Sequence, residues 1–325
     1  MLSKNILTTL AYYDIMDYPM TSFEIWKYLT AISNFQFPRL PKPGTGGQAI
    51  SNKIQNNDEI KFSLQDVVKE LDSDNLKKLI EEYRGFYFLK GRQSLVEQRI
   101  KRNKISESKY RILLRVASVL RLVPYVRMVA VTGRLAMKNA DEKSDLDLLI
   151  ALKHGKIFTG RILVTLIVHL LGKRRYKGKI TNRVCLNYFI TTKSLGIDLK
   201  DLYSASEYFF ISPLFGLETF KEFQEKNSWI KNYKINYQED GHVSQKILPD
   251  TYFTKLFRKT GEKLLNFIFI ERTLKNWQIK RINRNPKTHQ AGSLVTANDS
   301  ALIFLPSPQG PKIYEKFQEQ LSALI

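Results

Sequence analysis

Apolar positions recur at helical spacing from Asn5 to Ile15 and stop at Asp17-Tyr18-Pro19, which predicts an opening helix. Thr21-Ser22-Phe23-Glu24 has the form of a capping box, with Thr21 as N-cap and Glu24 at the third helical position, and predicts a helix to about Leu29. Residues 33–60 lose this periodicity and carry Pro38, Pro41, Pro43, Gly44, Gly46 and Gly47, so they read as a disordered insertion. Ser63 and Asp66 restart a helix through about Leu71. Leu79-Ile80 and Phe86–Leu89, on either side of Tyr83-Arg84-Gly85, read as a β-hairpin. Helices followed by a hairpin suggest a winged-helix-like module over residues 1–102.

The periodicity then changes twice. Lys101–Arg121 predicts a helix that buries Ile112, Leu113, Val116, Ala117 and Leu120, and Pro124 ends it. Val126–Thr132, Leu146–Leu152 and Arg183–Thr191 read as strands, with a helix over Thr159–Leu171 closed by Gly172. Beyond residue 200 the pattern is helical over Leu202–Phe210, Leu217–Tyr233 and Tyr252–Asn283. Residues 286–325, with Pro286, Gly292, Pro306, Pro308 and Pro311, read as a loop-rich tail with a short helix from Lys312. The expected class is α+β: a mixed sheet with helices over 103–200, a helical region over 201–285 and the tail. There is no internal repeat.

Charge sharpens this outline. The 325 residues hold 52 Lys+Arg against 31 Asp+Glu, a formal net charge of +21, which favours polyanions such as nucleotides, nucleic acid or an anionic membrane surface. The first module runs against that trend. From Asp58 to Glu82 there are eight carboxylates and four lysines, where a DNA-reading helix should be neutral or basic. Packing or partner docking suits the module better. No apolar run reaches the ~20 residues of a spanning helix, so no membrane insertion is expected. The single cysteine, Cys185, excludes an internal disulfide, reads as core, and fits a reducing, cytoplasmic setting. The four histidines show no zinc spacing.

Chemistry concentrates in Val129–Ile150. A hydrophobic strand ends at Thr132-Gly133; twelve residues beyond Gly133 lies Asp145, in Ser144-Asp145-Leu146-Asp147, and a second apolar strand follows. Side chains at i and i+2 of a strand share a face, so Asp145 and Asp147 point the same way and repel unless a cation lies between them. Hard oxygen donors next to a phosphate-bearing substrate suit Mg²⁺. A glycine at 133 lets the backbone approach a phosphate without a Cβ in the way.

This stretch resembles the nucleotidyltransferase superfamily, the group with the DNA polymerase beta-like fold, over about Val126–Ile190. The resemblance implies transfer of a nucleoside monophosphate from an NTP to an acceptor hydroxyl on nucleic acid, protein or a small molecule, with Mg²⁺ or Mn²⁺. It assigns Asp145 and Asp147 as catalytic metal ligands and Thr132, Gly133, Arg134 and Ser144 to the nucleotide. Two departures stand out. Arg134 occupies the position after the glycine, where the family usually has Ser or Gly. Active members also carry a third carboxylate on a later strand, whereas Leu148–Ile197 contains no Asp or Glu and the matching strand offers Asn187 as a possible metal ligand. Asp198 and Asp201 lie near enough in sequence to substitute. The departures leave a second expectation open, a degenerate fold that binds nucleotide or nucleic acid without turnover. The acid-free stretch also holds Lys173, Arg174, Arg175, Lys177 and Lys179, which read either as a solvated turn or as a polyanion-binding clamp.

Overall fold

A computed structural model describes residues 1–31, 61–176, 178–239 and 246–324. The insertion expected at 33–60 lies outside the described residues, as does Lys177. The chain opens with α1 (Leu2–Asp14), β1 (Met20–Thr21) and α2 (Ser22–Lys27). Thr21 and Glu24 form the capping box read from the sequence, each satisfying a backbone amide of the other. Then come α3 (Leu64–Leu71), α4 (Asp74–Lys77), β2 (Ile80–Tyr83) and β3 (Phe86–Leu89), with Ser63 and Asp66 closing a second capping box. The strands form an antiparallel sheet in the order β1-β3-β2.

The rest is built on α5 (Ser94–Leu120), β4 (Val126–Val131), α6 (Gly133–Ala136), β5 (Leu146–Leu152), α7 (Ile157–Leu170), β6 (Val184–Thr191), α8 (Leu202–Phe209), β7 (Ser212–Phe215), α9 (Leu217–Lys226), α10 (Tyr252–Leu264), α11 (Ile268–Asn283), β8 (Leu294–Ala297), β9 (Ala301–Leu305) and α12 (Gly310–Leu324). A mixed sheet runs β7-β4-β5-β6-β9-β8; only β5 and β6 are parallel, and the other neighbours are antiparallel. β4 and β5 are covered on both faces, which explains their almost unbroken apolar sequences. Val129, Val131, Leu148 and Ile150 meet α5 and α7 on one face. Met128, Ala130, Leu149 and Ala151 join a core with α1, α8 and α9 on the other. The class is therefore α+β, with a three-stranded antiparallel sheet and a six-stranded mixed one among the described residues.

Three sequence expectations change. Residues 286–325 are not mainly loop: two short apolar runs flank Asn298, whose carboxamide oxygen accepts from the Ser300 and Ala301 amides, so β8 and β9 extend the main sheet. The proline and glycine density there hides a hairpin only four and five residues to a strand. The helical region contains β7, an edge strand that tolerates Pro213 because one side needs no ladder partner. The expected helix over 252–283 breaks between α10 and α11. The break lets two carboxylates reach different targets: Glu262 pairs with Arg127 at 2.8 Å, and Glu271 accepts from the Phe158 and Thr159 amides at the start of α7.

α5 binds the first sheet to the second through a row of buried cations. Arg99 donates to Tyr18 and Glu24 and to the Lys138 carbonyl, and Arg102 reaches Asn139 and the Asp17 carbonyl. Lys234 makes a second tie: fully buried, its amino nitrogen lies 4.8 Å from the centre of the Tyr13 ring and donates to Tyr13 Oη and Thr30 Oγ1.

Burial pushes the Lys234 amine well below its ordinary value of 10.5. The unfolded chain therefore binds a proton that the folded chain has released, and stability rises with pH through the window below 10.5. Lys234→Met should leave folding intact and flatten this rise in thermal melts taken from neutral to mildly alkaline pH. A slope equal to wild type would show that Lys234 keeps its charge in the folded protein.

Candidate functional site

The site lies where β4 ends and β5 and β6 begin. The Thr132 amide donates to the Asp147 carbonyl at 3.2 Å, which fixes the turn after β4 against the start of β5. Gly133 follows with φ +64°, in the left-handed region. A Cβ there would come within 3.0 Å of Asp147 Oδ2, so the glycine serves both the turn and the space beside the carboxylate.

Asp145 and Asp147 project from the same side, as the i, i+2 spacing requires. One oxygen of each and the Cys185 sulfur lie within 4.8 Å of one another, and all three side chains are half-buried. Cys185 pairs directly with Asp147 across the parallel ladder. The register then slips, two residues of β6 opposing Leu148 alone. This bulge turns Asn187 and Tyr188 to the same face, and Asn187 Nδ2 makes a long 3.5 Å contact with Asp147 Oδ1. Burial, and then the Asp145 charge, push the Asp147 carboxyl up to about 7. Burial, reinforced by Asp147 and Asp145, pushes the Cys185 thiol up to about 12, so it keeps its proton at neutral pH.

The remaining expected residues divide. Ser144 belongs to the turn: its hydroxyl donates to Asp141 Oδ1 at 2.9 Å and accepts from the Asp141 amide at 3.0 Å. Arg134 is exposed and pairs with Asp141 at 3.3 Å, so its bulk leaves the carboxylate pair clear. Within the basic loop, Arg175 is drawn in. Its guanidinium pairs with Asp145 and reaches Cys185 Sγ at 3.4 Å. Lys173 and Arg174 are half-buried where the loop pairs with Val184, and Lys179 lies over the Tyr176 ring. Asp201 caps α8, accepting from the Ser204 amide at 2.7 Å, a structural task in place of the ligand role considered for it.

Four contributors escape sequence reasoning. Cys185 is half-buried beside the two aspartates and not in the core. Arg175 supplies a cation to Asp145. Lys109, buried on α5, donates to the Glu142 and Ser144 carbonyls and to Asn182, and so holds the turn that delivers Asp145. Glu207 on α8 is a carboxyl that feels the Asp147 charge: burial, then that charge, push it up to about 7, against a hydrogen bond from Tyr203 one turn earlier. The only sequence signal for Glu207 is a single acid among the aromatic residues Tyr203, Tyr208, Phe209 and Phe210.

No protein-family model matches the chain, and neither a curated protein nor a solved structure matches it. The site must therefore be judged on its own chemistry. Two crowded carboxylates, one held up near neutrality by burial and by the other's charge, fit a hard divalent cation, with the Asn187 carboxamide able to add an oxygen by turning over. One protonated thiol among oxygen donors suits Mg²⁺ or Mn²⁺ better than a thiophilic ion.

Two outcomes follow. A raised carboxyl lets the folded chain keep a proton that the unfolded chain loses above 3.8, so metal-free stability falls as pH climbs from about 4 to about 7. Asp147→Asn should melt higher than wild type at neutral pH in EDTA and lose much of this slope; an equal or lower melting point would contradict the burden assigned to Asp147. Gly133→Ala should weaken Mn²⁺ binding about tenfold or more, as strained φ and the displaced Asp147 carboxylate require; unchanged affinity would remove Gly133 from the site.

Proposed function

We propose that the chain is a nucleotidyltransferase with a DNA polymerase beta-like fold, moving a nucleoside monophosphate from an NTP to an acceptor hydroxyl. One observation carries the reading: Asp145 and Asp147 stand together at the mouth of β5 against the open backbone of Gly133. Asp145 and Asp147 would hold Mg²⁺ or Mn²⁺, with Asn187 as an oxygen donor. Once bound, the ion would neutralise triphosphate charge and acidify the acceptor hydroxyl.

The chain's own residues supply the rest. Gly133 leaves room for a phosphate oxygen, and Thr132 sets its angle. Arg175 would leave Asp145 as the cation arrives and turn its planar fork to the phosphates. Glu207, held near 7, has the basicity of a group that accepts a proton from the attacking hydroxyl at neutral pH. The first module would be winged-helix-like and serve packing, since Val67 and Leu71 of α3 are buried and the exposed acids nearby would repel phosphates. The cytoplasm is the proposed setting, consistent with the free thiol of Cys185.

The second reading is a degenerate fold that binds nucleotide or nucleic acid without turnover. Arg175 on Asp145 favours it, because a guanidinium already answers the charge that a metal would answer.

Incubation with each α-labelled NTP, Mg²⁺ and either RNA or the protein alone should place label on an acceptor. Asp147→Asn should lower the rate about a hundredfold or more. Glu207→Gln should lower kcat with little change in KM. Saturable NTP binding without label in wild type, together with label appearing in Asn187→Asp, would overturn turnover in favour of the degenerate reading.

A further inference from the structure

The α10 helix presents three different rows of side chains. Thr254, Arg258 and Glu262, spaced i, i+4 and i+8, form the inward row. Arg258 donates to Asp250 and the Arg121 carbonyl, and Glu262 binds Arg127 and the Tyr125 amide. Gly261 sits over Pro124 so closely that a Cβ would fall 2.6 Å from its ring. These contacts fasten the helix to the rim of the main sheet and fix which side faces out.

The second row is Lys255, Lys259 and Lys263, again at i, i+4 and i+8, and all three are exposed. The third is apolar. Phe253 is 79% exposed, Leu256 49%, Phe257 65% and Leu264 70%, and beyond the helix end Phe267 and Phe269 are 55% and 67% exposed, with ring centres 5.7 Å apart. Single exposed apolar residues are ordinary; six large ones along one helix and its corner are not. Both acids in residues 251–284, Glu262 and Glu271, are engaged inward, so the charge left outside is basic.

We propose that this face of α10 and the α10–α11 corner rest on an anionic lipid surface. Phe253, Leu256, Phe257 and Leu264 would enter the boundary between headgroups and acyl chains, with the lysine row reaching lipid phosphates beside them. The apolar stripe beside a basic row is the pattern of a helix lying in an interface. Among the described residues no helix is long and apolar enough to cross a membrane, which agrees with lying on it. Charge selects this occupant over a second copy of the chain, which would bring two lysine rows and two chains of net +21 together. Aliphatic Leu256 and Leu264 alternate with the rings along this face, so it is a poor platform for stacked bases.

Co-sedimentation of the full chain with vesicles of equal parts phosphatidylglycerol and phosphatidylcholine tests the assignment, with pure phosphatidylcholine as reference. Wild type should bind the anionic vesicles and release them as salt is raised. Replacing Phe253, Leu256 and Leu264 by Ser should weaken binding more than tenfold with the helical signal unchanged. Lys255→Gln, Lys259→Gln and Lys263→Gln should each cost about fivefold. Phe253→Trp should show an emission blue-shift with the anionic vesicles alone. Absence of vesicle binding, equal binding by the Ser variant, dimers that the Ser variant abolishes, or tighter binding to a single-stranded oligonucleotide through the same face would each overturn the proposal.

Discussion

The repulsion between Asp145 and Asp147 is the constraint to which the site answers. Strand geometry forces alternate residues onto one face, so the two carboxylates stand side by side. Such a pair persists only where positive charge or hydrogen-bond donors meet it. Arg175 meets Asp145 and Asn187 approaches Asp147, while Gly133 vacates the space into which a larger residue would press the second carboxylate. The protein holds these groups in an arrangement that costs stability, and that cost is the strongest physical argument that the pair has work to do.

Holding two repelling groups in place needs a stiff frame. β4 and β5 lie in the middle of the main sheet with apolar cores on both faces, so the mouth of β5 cannot spread to relieve the charge. α5 stiffens the other approach: Arg99 and Arg102 bind the first module to residues 138–139, and Lys109 holds the turn before Asp145. The first module therefore joins the site through packing and buried cations. The charge it shows to solvent, poor for nucleic acid, follows from that role.

The sequence was readable wherever a signal was local. The Thr21–Glu24 and Ser63–Asp66 caps, the strands at 126, 146 and 184, and the side-by-side aspartates all depend on spacing within a few residues. β8 and β9 were missed because their runs are too short to stand out among prolines and glycines. The influence of Glu207 and the pairing of Arg175 with Asp145 are hidden for a different reason. Tertiary packing brings Arg175 from the loop before β6 onto Asp145 and sets Glu207, from a helix beyond β6, within range of the Asp147 charge, and no spacing rule links either to the aspartates. The β6 bulge was equally hidden. Simple alternation already put Asn187 on the aspartate side, yet the bulge that also turns Tyr188 that way comes from pairing with β5.

In the proposed reading, Asp145 and Asp147 form one divalent-cation site that works with a triphosphate. Paramagnetic titration of Mn²⁺, with and without a non-hydrolysable ATP analogue, measures this directly. Saturable binding is expected, tightened by the analogue, and lost in the double variant that combines Asp145→Asn with Asp147→Asn. Binding of equal affinity in that double variant, or none in wild type with the analogue present, would contradict it.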